Sequence, residues 1–133
     1  MQLVSGSTAF QTLYDKTMSC AHPDNGRWQR SSPNQHCGYC VPCIIRRAAT
    51  KAAKLTDSKY RMNITDPSLS IQDKGADFKA FKIAIQKLSK MSPEKVSFHI
   101  LSAGPIKTKS KKEFQKYVDL YSRGMQEVAN IVK

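Results

Sequence analysis

The sequence predicts a mainly α fold, a small helical domain with one cysteine-rich loop and no significant sheet. Three observations carry that expectation. Apolar residues recur at spacings of three and four in five separate segments. No segment alternates apolar and polar residues as a half-buried strand would. All four cysteines fall between Cys20 and Cys43, in a stretch otherwise marked by Pro, Asn, Gly and Ser.

The elements follow in order. Residues 1–6 show no periodicity. Ser7 is placed to cap a helix over Thr8–Lys16, with Phe10, Leu13 and Tyr14 on one face. Residues 21–36 read as a loop, because Pro23, Asn25-Gly26 and Ser31-Ser32-Pro33 each signal a turn. Trp28, flanked by Arg27 and Arg30, either anchors that loop to the body or offers a stacking face beside two cations. Ile44–Leu55 is rich in helix formers and places Ile44, Ala48, Ala52 and Leu55 on one side.

Residues 56–75 are polar and broken by Asp66-Pro67 and Gly75, which predicts a connector with little regular structure. Asp77 is positioned to cap a helix running to about Met91, with Phe81, Ala84, Ile85 and Leu88 as its apolar stripe. Ser92-Pro93-Glu94 combines a capping side chain, a proline at the first position and an acid in the first turn. The helix it starts carries Val96, Ile100 and Leu101 and stops at Gly104-Pro105. A last helix from about Ser110 to Val132 turns Phe114, Tyr117, Val118, Tyr121, Met125, Val128 and Val132 inward.

The 133 residues suit one domain, and an apolar share of 40% is enough for a modest core. Its parts are a lead-in helix over 1–19, a cysteine loop over 20–43 and a basic helical region over 44–133. No run approaches the roughly 18 apolar residues of a membrane span. The first residues show no basic segment leading into an apolar run, so no secretory signal is expected and the expected location is cytoplasmic, with no membrane partner.

Charge is uneven. The chain carries +12; residues 1–43 hold three cations and two acids, so the remainder carries +11. A field of that sign favours nucleotides, nucleic acid or an acidic protein, and equally describes lysines on solvated helix faces.

The cysteines carry the chemistry. In a reducing compartment clustered thiols bind metal more often than they form disulfides. Cys37-Gly38-Tyr39-Cys40 is a Cys-x-x-Cys turn; Cys43 comes one turn later and Cys20 closes the set from across the loop. Gly38 permits the tight backbone between the first two. Four thiolates fill a tetrahedron and leave no position for a catalytic water, so the expected cofactor is structural zinc held by Cys20, Cys37, Cys40 and Cys43. An iron–sulfur run is the competing reading, but there a fourth cysteine follows and precedes a proline, whereas Pro42 precedes Cys43. His22 or His36 in place of a cysteine is a further alternative; His36 adjoins Cys37 and suits a hydrogen bond at the rim better than ligation.

Met18-Ser19-Cys20 followed by His36-Cys37-Gly38-x-Cys40-x-x-Cys43-x-x-Arg46-Arg47-x-Ala49 resembles the zinc site near the C-terminus of QueC-like 7-cyano-7-deazaguanine synthases. The resemblance covers about residues 10–50. The basic helical tail is more similar to the QatC-type branch found in anti-phage defence systems than to the enzymes of queuosine biosynthesis. It implies an ATP pyrophosphatase-fold protein that adenylates a deazapurine carboxylate, with the four cysteines as zinc ligands and Arg46 and Arg47 as matches of unassigned role.

Two features depart from that pattern. Residues 21–36 are longer than the family spacing, and the Ser-Gly-Gly-x-Asp-Ser pyrophosphate loop is absent; Val4-Ser5-Gly6-Ser7-Thr8 lacks its second glycine and its Asp-Ser. These residues therefore resemble the C-terminal part of such a protein. Its catalytic half would be a partner, ATP is implied only by the resemblance, and no ATP turnover is expected from these residues alone.

Two other classes stand beside it: a zinc-containing nucleic-acid-binding domain, and a protein–protein adaptor docking through its helices. No catalytic residue is expected. The thiols are committed to metal, His99 lies in a helix, and the ten acids are scattered without pairing.

Overall fold

The computed structural model of the chain describes residues 6–23, 35–57, 59–71 and 75–132. The architecture is mainly helical, as the sequence predicts, with no strand among the described residues. The helices are α1 (Thr8–Leu13), α2 (Val41–Ala52), α3 (Ser68–Ile71), α4 (Ala76–Leu88), α5 (Pro93–Ser102) and α6 (Lys111–Val132). A 3₁₀ turn over Tyr14–Lys16 continues α1. The long α6 is the spine: α2, α4 and α5 all pack on it, and α2 also touches α4. Among the described residues no helix is long and apolar enough to cross a membrane.

Ser7 caps α1 as expected, accepting the Phe10 N–H at 3.5 Å. The helix buries no side chain, however, and Leu13 points to solvent. Polar contacts hold this segment instead, among them the Tyr14 hydroxyl donating to the Thr56 carbonyl.

α2 begins at Val41, three residues before the sequence predicts, so Cys43 lies in its first turn. Pro42, with φ preset, favours that early start. The Val41 N–H donates to the Asp77 carboxylate at 3.0 Å. Asp77 was expected to cap its own helix; that helix starts after Gly75, and Asp77 reaches across to the N-terminus of α2, where the helix dipole favours an acid. α2 ends on a left-handed Lys54 (φ 54°), with Leu55 N–H on the Thr50 carbonyl and Lys54 N–H on the Lys51 carbonyl. This is a Schellman cap without its usual glycine.

The connector is more structured than expected. Asp66 accepts the Ser68 N–H at 2.9 Å, and Pro67 follows it, so the pair read as a breaker starts the single turn of α3. Leu69 on that turn is fully buried, and Ile64 is nearly so. Gly75 is required by proximity: a Cβ there would lie 1.7 Å from the Leu69 carbonyl oxygen.

α4 buries Phe78 and rests Phe81 and Ile85 on the core. Ser92 caps α5, accepting the Lys95 N–H at 3.5 Å. Only Val96 of α5 is buried, while Phe98 is 73% exposed and Leu101 also faces out. α6 buries Val118, Met125, Val128, Ala129 and Val132. Tyr117, expected inward, remains 41% exposed at the edge of that stripe, where a phenol keeps its hydroxyl in water.

The core joins Ile44, Ala48, Ile64, Leu69, Phe78, Val128 and Val132 to the four cysteines. The cysteine cluster is thus part of the core and not an appendage.

Candidate metal centre

Three local structures deliver the sulfurs. Cys20 follows the extended run after the 3₁₀ turn, Cys37 and Cys40 sit on the bend before α2, and Cys43 on its first turn. Gly38 takes φ +94°, which allows Cys37 and Cys40 to face the same point. All four side chains are buried and free of disulfides.

Their four Sγ atoms lie within 4.8 Å of one another, and Cys37 and Cys43 are 3.9 Å apart. Four sulfurs at about 2.3 Å from zinc would stand about 3.8 Å apart at the corners of a tetrahedron. The cluster is therefore of a size and donor type that could hold a metal ion such as zinc. Backbone N–H groups already point at the sulfurs: those of His22 and Cys37 at Cys20 Sγ, both 3.3 Å, and that of Cys40 at Cys37 Sγ, 3.4 Å.

Without a cation Cys37, Cys40 and Cys43 compete for protons. The contact with Cys43 draws Cys37 down to about 3, against the opposing effect of burial. The same contact, and then burial, pushes Cys43 up, and burial raises Cys40. A buried cluster cannot lose several protons on its own; a dication bound among the sulfurs removes that barrier, because coordinated thiols are deprotonated outright.

His36 is buried at the rim. Its Nε2 lies 3.2 Å from the Thr17 carbonyl oxygen and its Nδ1 3.8 Å from Cys43 Sγ, so it braces the site beside the four sulfurs. Burial, and then the charge of Arg46, hold its pKa below the ordinary value. His22 stacks on Tyr39 with ring centroids 6.1 Å apart. Arg27, Trp28 and Arg30, with the turns read at Asn25-Gly26 and Ser31-Ser32-Pro33, lie outside the described residues.

Three arginines surround the cluster. Arg46 is buried and donates to Thr17 Oγ1 at 2.7 Å, to the Thr17 carbonyl at 3.2 Å and to the Tyr14 carbonyl. Arg47 donates to the Met62 carbonyl at 2.7 Å, and its guanidinium lies 3.8 Å over the Tyr60 ring. Arg61 donates to the His22 carbonyl. A parallel bridge between His36 and Tyr60 brings the connector alongside, with Arg61 N–H on the His36 carbonyl and Met62 N–H on the Cys37 carbonyl. Arg46 and Arg47 were visible as an Arg-Arg pair after Cys43; nothing in the sequence singles out Arg61, Tyr60 or Met62.

Comparison with protein-family models, with curated proteins and with solved structures finds no match to this chain.

Proposed function

We propose that these residues form a zinc-stabilised helical region of a QueC-like, ATP-dependent 7-cyano-7-deazaguanine synthase-type protein, working in the cytoplasm with a catalytic half that these residues do not include. The observation that carries the zinc reading is the gathering of four buried thiols within 4.8 Å of one another. The family reading is supported by the Ser-Cys, His-Cys-Gly-x-Cys-x-x-Cys and Arg-Arg run alone. With four sulfurs as ligands no coordination position is open, so the metal's role is to hold the cysteine loop, α2 and the connector together.

Metal analysis and chelation test the first part. One zinc per chain is expected, and a strong chelator should raise hydrogen exchange first around residues 35–45. A chain free of zinc, or exchange there unchanged by chelation, sinks it. The second part predicts no turnover of ATP with a deazapurine carboxylate by the chain alone. It predicts turnover once a Ser-Gly-Gly-x-Asp-Ser half is present, on the same polypeptide or supplied as a partner; activity in these residues alone would refute it.

Among the described residues the nucleic-acid reading is supported by the exposed lysines of α4 and α6 and not by Arg46 and Arg47, which are turned towards the protein; Arg27, Trp28 and Arg30 lie outside the described residues. Binding that collapses between 50 and 200 mM salt would favour it.

A further inference from the structure

A zinc ion bound by four thiolates carries a net charge of −2, since the dication displaces four protons into solvent. Burying that charge is costly unless opposite charge stands close by. Two guanidiniums of this chain stand there with donors to spare. Arg47 Nη2 passes so near the Cys-x-x-Cys bend that a Cβ on Gly38 would meet it at 2.8 Å. Arg61 reaches the His22 carbonyl, and the His22 N–H donates to Cys20 Sγ. The two cations therefore flank the cluster on the sides of Cys37 and Cys20.

Their recorded hydrogen bonds go to main-chain carbonyls and not to carboxylates. Arg47 Nε, Arg61 Nε and Arg61 Nη1 are buried with no hydrogen-bond partner among the described residues. Asp57 favours the charged form of Arg47 from a distance and is hydrogen-bonded by the Tyr60 hydroxyl at 2.9 Å. A half-buried cation with N–H groups that find no acceptor among the described residues is expensive in a metal-free protein. Beside a dianionic centre the same group is a counter-ion.

We infer that Arg47 and Arg61 are the counter-ions of the four-thiolate metal centre, and that they set its metal affinity and shield its sulfurs from electrophiles. This rests on the zinc reading above. They act on the metal through charge, and through the turns they fasten, without ligating it. Groups that support the ligands without binding the metal change metal affinity by about 10- to 100-fold when removed.

The rival explanation is a mechanical strap: Arg47 ties Met62 and stacks on Tyr60, and the metal does not feel its charge. Charge and strap predict different patterns in three variants, Arg47→Met, Arg47→Lys and Arg61→Met. Zinc affinity is read by competition with a chromogenic chelator, and sulfur reactivity by the rate of N-ethylmaleimide alkylation of the zinc-loaded protein. Thermal melts of the metal-free protein complete the set.

As counter-ions, Arg47→Met and Arg61→Met each lower zinc affinity by about 10- to 100-fold and speed alkylation, while Arg47→Lys stays within about threefold of wild type. The metal-free melting temperature is unchanged or raised in the Met variants, because each removes a half-buried cation whose dianionic partner is then absent. Equal losses for Arg47→Lys and Arg47→Met would overturn the proposal, as would a metal-free protein destabilised as much as the loaded one. So would an Arg47→Met protein that fails to fold in saturating zinc, since excess metal outweighs a lost counter-ion but cannot replace a strap. If the wild-type chain takes up no zinc, the zinc reading itself fails, and that outcome is seen before any variant is compared.

Discussion

Gly38→Ala tests how tightly the cysteine turn is built against the connector. The backbone there has φ +94°, and a side chain in such a conformation costs about 1–2 kcal/mol. The new Cβ would also lie 2.5 Å from the Met62 carbonyl oxygen and 3.1 Å from the Tyr60 Cβ. Met62 must then retreat, and its carbonyl is the acceptor for Arg47 at 2.7 Å. A lost hydrogen bond to a charged donor adds about 1.5–3 kcal/mol. The expected total is about 3–5 kcal/mol, a large part of the 5–15 kcal/mol typical of a domain.

Gly124→Ala is the control, since nothing lies within 4 Å of a Cβ there inside α6. It should stabilise by up to about 1 kcal/mol through helix propensity. Both are measured by urea unfolding of the zinc-loaded protein, with equal slopes confirming that the transition is unchanged. A loss below about 1 kcal/mol for Gly38→Ala would mean that the turn does not pack on residues 60–62.

Three further outcomes follow from the packing. Leu69→Ala should cost about 2–5 kcal/mol in the same unfolding assay, although it lies in a polar connector, because the side chain is fully buried; a cost typical of a surface site would refute that placement. Lys54→Gly should stabilise by about 0.5–1 kcal/mol, visible as a rise of a few degrees in Tm, by relieving the left-handed residue of the α2 cap; a lower Tm would contradict the assigned φ. Tyr60 is held above its ordinary value of 10.0 by burial and then by its bond to Asp57. Stabilisation by the neutral phenol is fully present below that pH and lost as pH rises through the higher folded value. Unfolding midpoints should therefore fall above about pH 10, and Tyr60→Phe should flatten that limb; an unaltered limb would assign it to other groups.

The sequence made the helices legible because their signals are local. Ser7, Ser92 and Pro93 act on the next few residues, and the structure uses each as a cap or a first-turn residue. The cysteine cluster was legible for the same reason, since three of its sulfurs lie within seven residues. What was hidden depends on contacts distant in the chain. Asp77 has the chemistry of a cap and serves as one, but for a helix that starts 36 residues earlier. Leu69 stands with Ile64 and Ile71 among polar residues, at no helical spacing that would betray it, and is buried because Gly75 lets α4 close over the Leu69 backbone. Arg46 and Arg47 look like a basic surface pair. Their direction is set by carbonyls of residues 14, 17 and 62, which no spacing rule connects to them.

These long-range polar contacts explain what Cys20 must do. The segment from Thr8 to Lys16 buries no side chain, so hydrophobic packing cannot hold it. Its attachments include the three bonds from Arg46 to Tyr14 and Thr17, the Tyr14 hydroxyl on Thr56, and the His36 ring on Thr17. Each is worth about 0.5–3 kcal/mol, against about 1–2 kcal/mol of ordering entropy for every residue held. A further tether is the sulfur of Cys20, which joins this segment to the core. Cys20→Ser should accordingly release residues 8–19 to near-free hydrogen exchange, while α6 and the C-terminal half of α2 keep most of their protection through Ile44, Ala48, Val128 and Val132. Equal loss of protection in α6 would show that the helices themselves depend on the fourth sulfur, and that the metal centre organises the whole fold and not only its N-terminal attachment.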